Sequence, residues 1–242
     1  MTAAPAALVV GATGGMGQLI SAAVVAEGYH LSVTGRRQGE VQELSDRLTA
    51  AGGAVQPLVG DLLDPVACAA LVSGHMARFG RLDLVVNASG ATQRRLLAEI
   101  DVQRSRTVVD VNLTGTVALL AAALPALRQS ARTRPGALVI LLSSLVAANP
   151  VSGYALYSAT KAAISSLARS VNEEEAANGI RATAIAPGFV DSAFTDGMAR
   201  QPGEFLPASD IAEAVSFLLR LSPTARVPVL EISRTNAEAG RP

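Results

Sequence analysis

The stretch YALYSATK, Tyr154 to Lys161, sets a phenol and an ammonium four residues apart, at Tyr157 and Lys161. Residues at that spacing share a helix face. A cation beside a phenol favours the phenolate, and a tyrosine brought toward neutral pH can give and take a proton efficiently. Tyr154 has Ser158 at the same spacing and lacks such a partner, so it is expected to border the site or pack there.

A second feature lies near the N-terminus. GATGGMG carries Gly11, Gly14, Gly15 and Gly17 after an apolar run and before QLISAAVVAEG, which has the composition of a helix. Phosphate binding needs backbone approach without a Cβ in the way, then a helix N-terminus with free N–H groups. The spacing is G-x-x-x-G-x-G rather than the strict dinucleotide fingerprint. A tight strand–helix connection, or the nucleotide fold of a methyltransferase, has the same general design.

Where a free ribose 2′-hydroxyl would call for a carboxylate, the second apolar run ends VTGRRQGE. Gly35 takes the acidic position, and Arg36 and Arg37 follow. Guanidinium groups pair with a 2′-phosphate where a carboxylate would repel it, which predicts NADPH over NADH. Asp61 can accept from an adenine amino group or cap the next helix, although Asp64 is the better-placed cap. Gln93–Arg95 could hold a substrate carboxylate at the pocket mouth, or be solvated loop residues.

These residues need a frame. Short Val/Leu/Ile-rich runs occur at 7–10, 30–33, 54–58, 82–86, 137–142, 181–186 and 227–232. Between them lie segments of helical length beginning near Gly15, Gln38, Pro65, Arg104, Tyr154 and Ser209. Continuous apolar strands alternating with helices predict an α/β fold, a parallel sheet covered on both faces. Pro57 marks its run as an edge or a strand end. No linker, repeat or charge block divides the chain, so a single domain over 1–242 is expected, with a polar tail from about 233.

Composition narrows the partners. Twenty basic residues balance twenty acidic ones among 242, so no long-range field favours nucleic acid or an anionic membrane. The single cysteine, Cys68, rules out an internal disulfide, and reducing cytoplasm is the expected compartment. Neither His30 nor His75 has a second ligand at metal spacing, so no metal site is expected. The N-terminus lacks the pattern of a signal peptide, and Val117–Leu127 is too short to span a bilayer.

Taken together the motifs resemble the short-chain dehydrogenase/reductase family over nearly the whole chain. The family's T-G-x-x-x-G-x-G turn is similar to VGATGGMG, with Val10 for threonine. Its N-N-A-G is similar to NASG, Asn87 to Gly90, departing at Ala88 and Ser89. V-N-x-x-G appears as VNLTG, a serine pair as Ser143–Ser144, and P-G-x-V-x-T as PGFVDS, with Ser192 for threonine. Tyr157 follows Ser144 by thirteen residues, the family's separation.

The resemblance implies a single-domain Rossmann fold, a doubly wound sheet of seven parallel strands. It also implies catalysis by Asn112, Ser144, Tyr157 and Lys161, with Asn112 helping to hold a water that passes protons to Lys161. NADP would lie against Gly11, Thr13, Gly14, Gly15, Met16 and Gly17, then Arg36, Arg37, Asp61 and Leu62. Beyond these come Asn87, Ala88, Ser89 and Gly90, Tyr157 and Lys161, and Pro187, Gly188 and Val190.

Looser similarity connects the chain to an NADP-dependent branch acting on 3-hydroxy acids and small carbonyl compounds. A short substrate loop is expected at about 189–208, with Gly197 and Gly203 as hinges. Val146, Ala147, Val151, Tyr154, Phe194 and Met198 would form an apolar pocket. The family also implies a homodimer or homotetramer. A catalytically silent NADP-binding regulatory protein and an epimerase or dehydratase are the alternatives; the intact tetrad argues against the first, and the short C-terminal segment against the second.

Overall fold

The computed structural model describes residues 4–133, 136–192 and 205–235. Seven strands run in chain order: β1 Ala6–Val10, β2 His30–Gly35, β3 Val55–Val59, β4 Leu84–Asn87, β5 Ala137–Leu142, β6 Ile180–Pro187 and β7 Val229–Ile232. All pair in parallel, in the order β3-β2-β1-β4-β5-β6-β7. The described helices are α1 Gly15–Ala26, α2 Gln38–Ala50, α3 Pro65–Phe79, α4 Val102–Val109, α5 Gly115–Ala131, α6 Ala155–Glu175 and α7 Ala208–Arg220. The chain is thus a Rossmann-type doubly wound sheet.

Successive side chains on a strand point to opposite faces, and β1 accordingly feeds two cores. Ala7 and Val9 join one with Ile20 and Val24 of α1 and Ile211 and Val215 of α7. Leu8 and Val10 join another with Leu119 and Ala123 of α5 and Ile164 and Ala168 of α6. Both faces are covered, so strands must be apolar throughout. The exceptions are the two edge strands, β3 and β7, whose residues are half-buried or exposed, and β3 accommodates Pro57.

Strand order reverses at β1, where β2 lies on one side and β4 on the other. Ligands of open parallel sheets bind outside the carboxyl ends of strands at such a switch point. The glycine turn follows β1 and NASG overlaps the end of β4, so the fold itself brings those two motifs together.

The stretch Val102–Ala131 is long and apolar enough to cross a membrane by length and composition alone. Within it, Leu119, Leu120, Ala123 and Leu127 are buried in the core beneath the sheet.

His75 serves the frame rather than a metal. Its Nε2 lies 2.9 Å from the Arg81 carbonyl and its Nδ1 2.8 Å from the Ser32 hydroxyl, and the residue is fully buried. A neutral ring donating from Nε2 and accepting at Nδ1 satisfies both contacts. Burial pushes its pKa down to about 4, against smaller upward pulls from the Arg81 carbonyl and Asp83. The unfolded chain takes that proton at the ordinary 6.5 and the native state excludes it. Stability is therefore full above pH 6.5 and falls as the pH drops toward 4. The loss is on the order of 3 kcal/mol. Denaturant melts of wild type and His75→Gln across this range should show a steeper decline in wild type; parallel declines would contradict this role.

Candidate active site

Tyr157 and Lys161 lie in the first two turns of α6. Lys161 is 4% exposed, its Nζ donates to the Leu142 carbonyl at 2.7 Å, and it stands 5.5 Å from the centre of the Tyr157 ring. Ser143, just past the end of β5, donates to the Lys161 carbonyl at 2.8 Å, which leaves it to accept from Ser165, also at 2.8 Å. This clips α6 to the strand end. Ser144 comes next with extended backbone, and its hydroxyl has only long contacts, 3.4 Å to the Pro187 carbonyl and 3.4 Å from the Val146 N–H. Among the described residues its hydrogen-bonding capacity is largely uncommitted.

The expected lowering of the Tyr157 pKa is not supplied by the protein alone. Burial first, and then Tyr154 beside it, push the phenol up. Burial likewise pushes Lys161 down to about 8. The ammonium is turned to a main-chain carbonyl below the ring, and desolvation outweighs its pull on the phenol.

Asn112 is buried behind the cleft and its amide is fully engaged. Oδ1 accepts from Ala91 N at 2.7 Å, while Nδ2 donates to the Ala91 carbonyl at 2.9 Å and to Thr160 Oγ1 at 3.0 Å. Thr160 in turn donates to the Tyr157 carbonyl at 2.8 Å. The side chain thus ties the segment after β4 to α6. Asn112 sits in one turn of π-helix, Asp110–Thr114, between α4 and α5. At its end a Cβ on Gly115 would come within 2.8 Å of Leu62, so only glycine allows this approach. A small polar recess bounded by Asn87, Ser89, Asn112, Thr116 and Lys161 lies behind the ammonium.

The glycines divide into two kinds. Gly11 has φ +74, and a Cβ there would fall 2.6 Å from Ser89 N; one on Gly17 would fall 2.2 Å from the Gly11 carbonyl. Those two are required by the turn's own packing. Among the described residues a Cβ on Gly14 or Gly15 would meet nothing closer than 3.5 and 3.6 Å, and both residues line the cleft together with Thr13 and Met16. The chain's packing does not demand glycine at these two positions, whereas a phosphate approaching the backbone does. The donor set fits a dinucleotide.

The departures at Val10 and Ala88 leave the turn anchored. Ala88 N donates to the Val10 carbonyl at 2.8 Å, continuing the β1–β4 ladder. Asn87 is buried, accepts from Ser89 N at 3.0 Å and donates to Thr116 at 2.8 Å. Ala88, Ser89 and Gly90 line the cleft above it.

At the far end of the cleft Arg36, Asp61 and Leu62 line the wall, but Arg37 does not. Arg37 is the N-cap residue of α2, and it pairs with Glu40 at 2.5 Å, with its side chain 74% exposed. The first turn of the helix takes it away from the site. A Cβ on Gly35 would lie 2.9 Å from Val41 and 3.1 Å from Thr13, so an acidic side chain there would have to displace one or both. Asp61 accepts from Leu63 N at 3.0 Å, and Asp64 is the cap of α3, accepting from Val66 N at 2.8 Å.

Pro187, Gly188 and Val190 line the other end, joined by Phe189 and Ser192. Of the expected pocket residues Val146 and Tyr154 face the cleft, whereas Ala147 and Val151 are not among its lining. Phe194, Met198, Gly197 and Gly203 lie outside the described residues. The cleft encloses about 560 Å³.

One wall was not anticipated. Arg104, Thr107, Val108 and Val111 face the cleft from α4 and the π turn. Their i, i+3, i+4, i+7 spacing is the one signal that could have revealed it. Gln93–Arg95 does not assemble as a carboxylate site. Gln93 is buried and bonds to the Asp101 carbonyl and Ser105, and Arg94 lies over Tyr154.

Residues 5–203 match the family model of the short chain dehydrogenases. The chain belongs to that family. Among its relatives, this dehydrogenase-family chain is 34% identical over 223 residues to a 3-oxoacyl-acyl-carrier-protein reductase of Staphylococcus aureus, covering 88% of this chain and 89% of that one. It is 31% identical over 219 residues to an uncharacterized oxidoreductase of Staphylococcus epidermidis, covering 88% and 90%. The crystal structure of an alcohol dehydrogenase from Thermococcus sibiricus, complexed with 5-hydroxy-NADP, is 28% identical with a TM-score of 0.87, covering 97% and 98%. Family membership makes this protein an oxidoreductase of the short-chain type.

Proposed function

We propose that the protein is an NADP(H)-dependent carbonyl reductase, and in reverse a secondary-alcohol dehydrogenase, with Tyr157 moving the substrate's proton. The observation that carries this reading is one cleft joining two features. Ser144, Tyr157 and Lys161 stand at one end, and the glycine turn, open at Gly14 and Gly15, stands along it.

NADPH, when bound, supplies the hydride taken up by a carbonyl carbon. Ser144 Oγ donates to the carbonyl oxygen and holds it in place. Tyr157 Oη, which burial keeps protonated, gives its proton to that oxygen as negative charge develops. The Lys161 ammonium beneath the ring stabilises the phenolate left behind. The recess bounded by Asn112 and Lys161 leaves no room for a water, so the proposed role of Asn112 is to anchor α6 to the segment after β4.

Small ketones, aldehydes and 3-hydroxy acids are the proposed substrates; Arg104, exposed on the cleft wall, supports a carboxylate on some of them. Following reduced-nicotinamide absorbance with such a panel tests the reading. NADPH consumption with at least one carbonyl, or NADP reduction with a 3-hydroxy acid, is expected. Silence across the whole panel would reject it.

Cofactor choice follows from Arg36 and from the crowding that a carboxylate would meet at position 35. Wild type should favour NADPH over NADH in kcat/KM, and Arg36→Asp should lower that preference by about 10–100-fold. An unchanged preference in Arg36→Asp would remove Arg36 from the 2′-phosphate site.

A further inference from the structure

Two segments flanking the cleft are fastened together beside the catalytic tyrosine, and this fastening has no part in the proton and hydride transfers just described. Arg95 N, on the loop after β4, donates to the Gly153 carbonyl at 2.8 Å. The Arg94 guanidinium carbon lies 5.7 Å from the centre of the Tyr154 ring. Gly153 has φ +83, a conformation L side chains rarely adopt, and a Cβ there would lie 3.7 Å from Arg94 Cγ. The positive φ at Gly153 thus shapes the turn beside which the arginine stem runs, at ordinary contact distance, with its cation over the next residue's ring.

Tyr154 carries this contact to the chemistry. Its ring is 9% exposed and meets the Tyr157 ring edge-on, at 6.2 Å between centroids and 61° between planes; it also meets Phe189, beyond β6, at 6.3 Å. Tyr154 is also the N-cap residue of α6, yet it makes no side-chain capping bond.

We infer that Arg94 is a positioning residue for the reaction: by clamping the Tyr154 ring it fixes the pose of Tyr157 against Ser144. The inference rests on the proton-transfer reading of Tyr157. Arg94 is exposed over Tyr154, which lines the cleft, and the competing role is to bind a substrate carboxylate directly. A clamp acts on every substrate, whereas a carboxylate site acts only on acidic ones.

Kinetics of Arg94→Ala and Arg94→Lys with one neutral ketone and one keto acid separate the two roles, with near-UV circular dichroism as a readout independent of turnover. The chain has no Trp and three Tyr, so the aromatic signal above the phenylalanine bands belongs to the tyrosines. For Arg94→Ala we expect kcat to fall about 10–100-fold on both substrates. KM and NADPH affinity should stay near wild type, and the tyrosine band should change. Arg94→Lys should recover most of the rate and the band, because an ammonium can also sit over the ring. The inference is overturned if kcat is unchanged, if only KM for the keto acid rises, or if Lys does no better than Ala. If wild type reduces no carbonyl at all, the proposed function fails. The tyrosine band then decides the clamp: lost in Ala and kept in Lys supports it, and unchanged in both overturns it.

Discussion

Tyr157→Phe is expected to lower turnover on any carbonyl substrate by about 10²–10⁴-fold. NADPH affinity and thermal stability should stay close to wild type. The substitution removes one hydroxyl and keeps the ring, so the edge contact with Tyr154 and the approach of Lys161 both survive. The lost atom is the proposed proton donor to the developing alkoxide, and no other hydroxyl has Lys161 beneath its ring. Ser144 is proposed to hold the substrate oxygen rather than to supply the proton. Steady-state kinetics with a nicotinamide fluorescence titration make the measurement. A variant within threefold of wild-type kcat would show that the proton comes from elsewhere.

The second large effect lies in the glycine turn, where two substitutions should fail for different reasons. Gly17→Ala places a methyl 2.2 Å from the Gly11 carbonyl oxygen and 2.9 Å from the Ala12 Cα, both of them backbone. Neither atom can yield without opening the turn that joins β1 to α1. Overpacking of this kind costs about 1–3 kcal/mol or more. A lower Tm and loss of NADPH binding are therefore expected together. Among the described residues Gly14→Ala meets only the Gly11 carbonyl, at 3.5 Å, so the fold should tolerate it. Its methyl projects where the backbone is proposed to meet phosphate, and NADPH affinity should fall while Tm holds. Wild-type affinity in Gly14→Ala would remove the turn from the cofactor site, and a wild-type Tm in Gly17→Ala would contradict the packing of the turn.

Much of the frame was legible because a doubly covered parallel sheet demands continuous apolar strands, and few other folds space such runs so regularly. Pro57 marked its run as an edge or a strand end, because proline cannot donate to the ladder, and β3 is an edge strand. Local spacing also revealed Tyr157 and Lys161, since one helical turn relates them.

The features that stayed hidden depend on distant approach. The π turn at Asp110–Thr114 is tied to the contact of Gly115 with Leu62, which no local pattern records. Arg36 and Arg37 look equivalent in sequence, and only the start of α2 separates them, turning Arg37 to Glu40. The direction of the Tyr157 shift depends on burial, which outweighs a lysine visible four residues away. Likewise, the exposed-looking Gln93 is drawn inward by the Asp101 carbonyl and Ser105.

The most direct test of the central claim is a crystal structure of the protein grown with NADP. The expected result has the pyrophosphate on the backbone of Gly14 and Gly15, the 2′-phosphate at Arg36, and the nicotinamide ring beside Tyr157 and Ser144. A nicotinamide bound away from the Tyr157 hydroxyl, or a cleft left without the dinucleotide at saturating concentration, would contradict it.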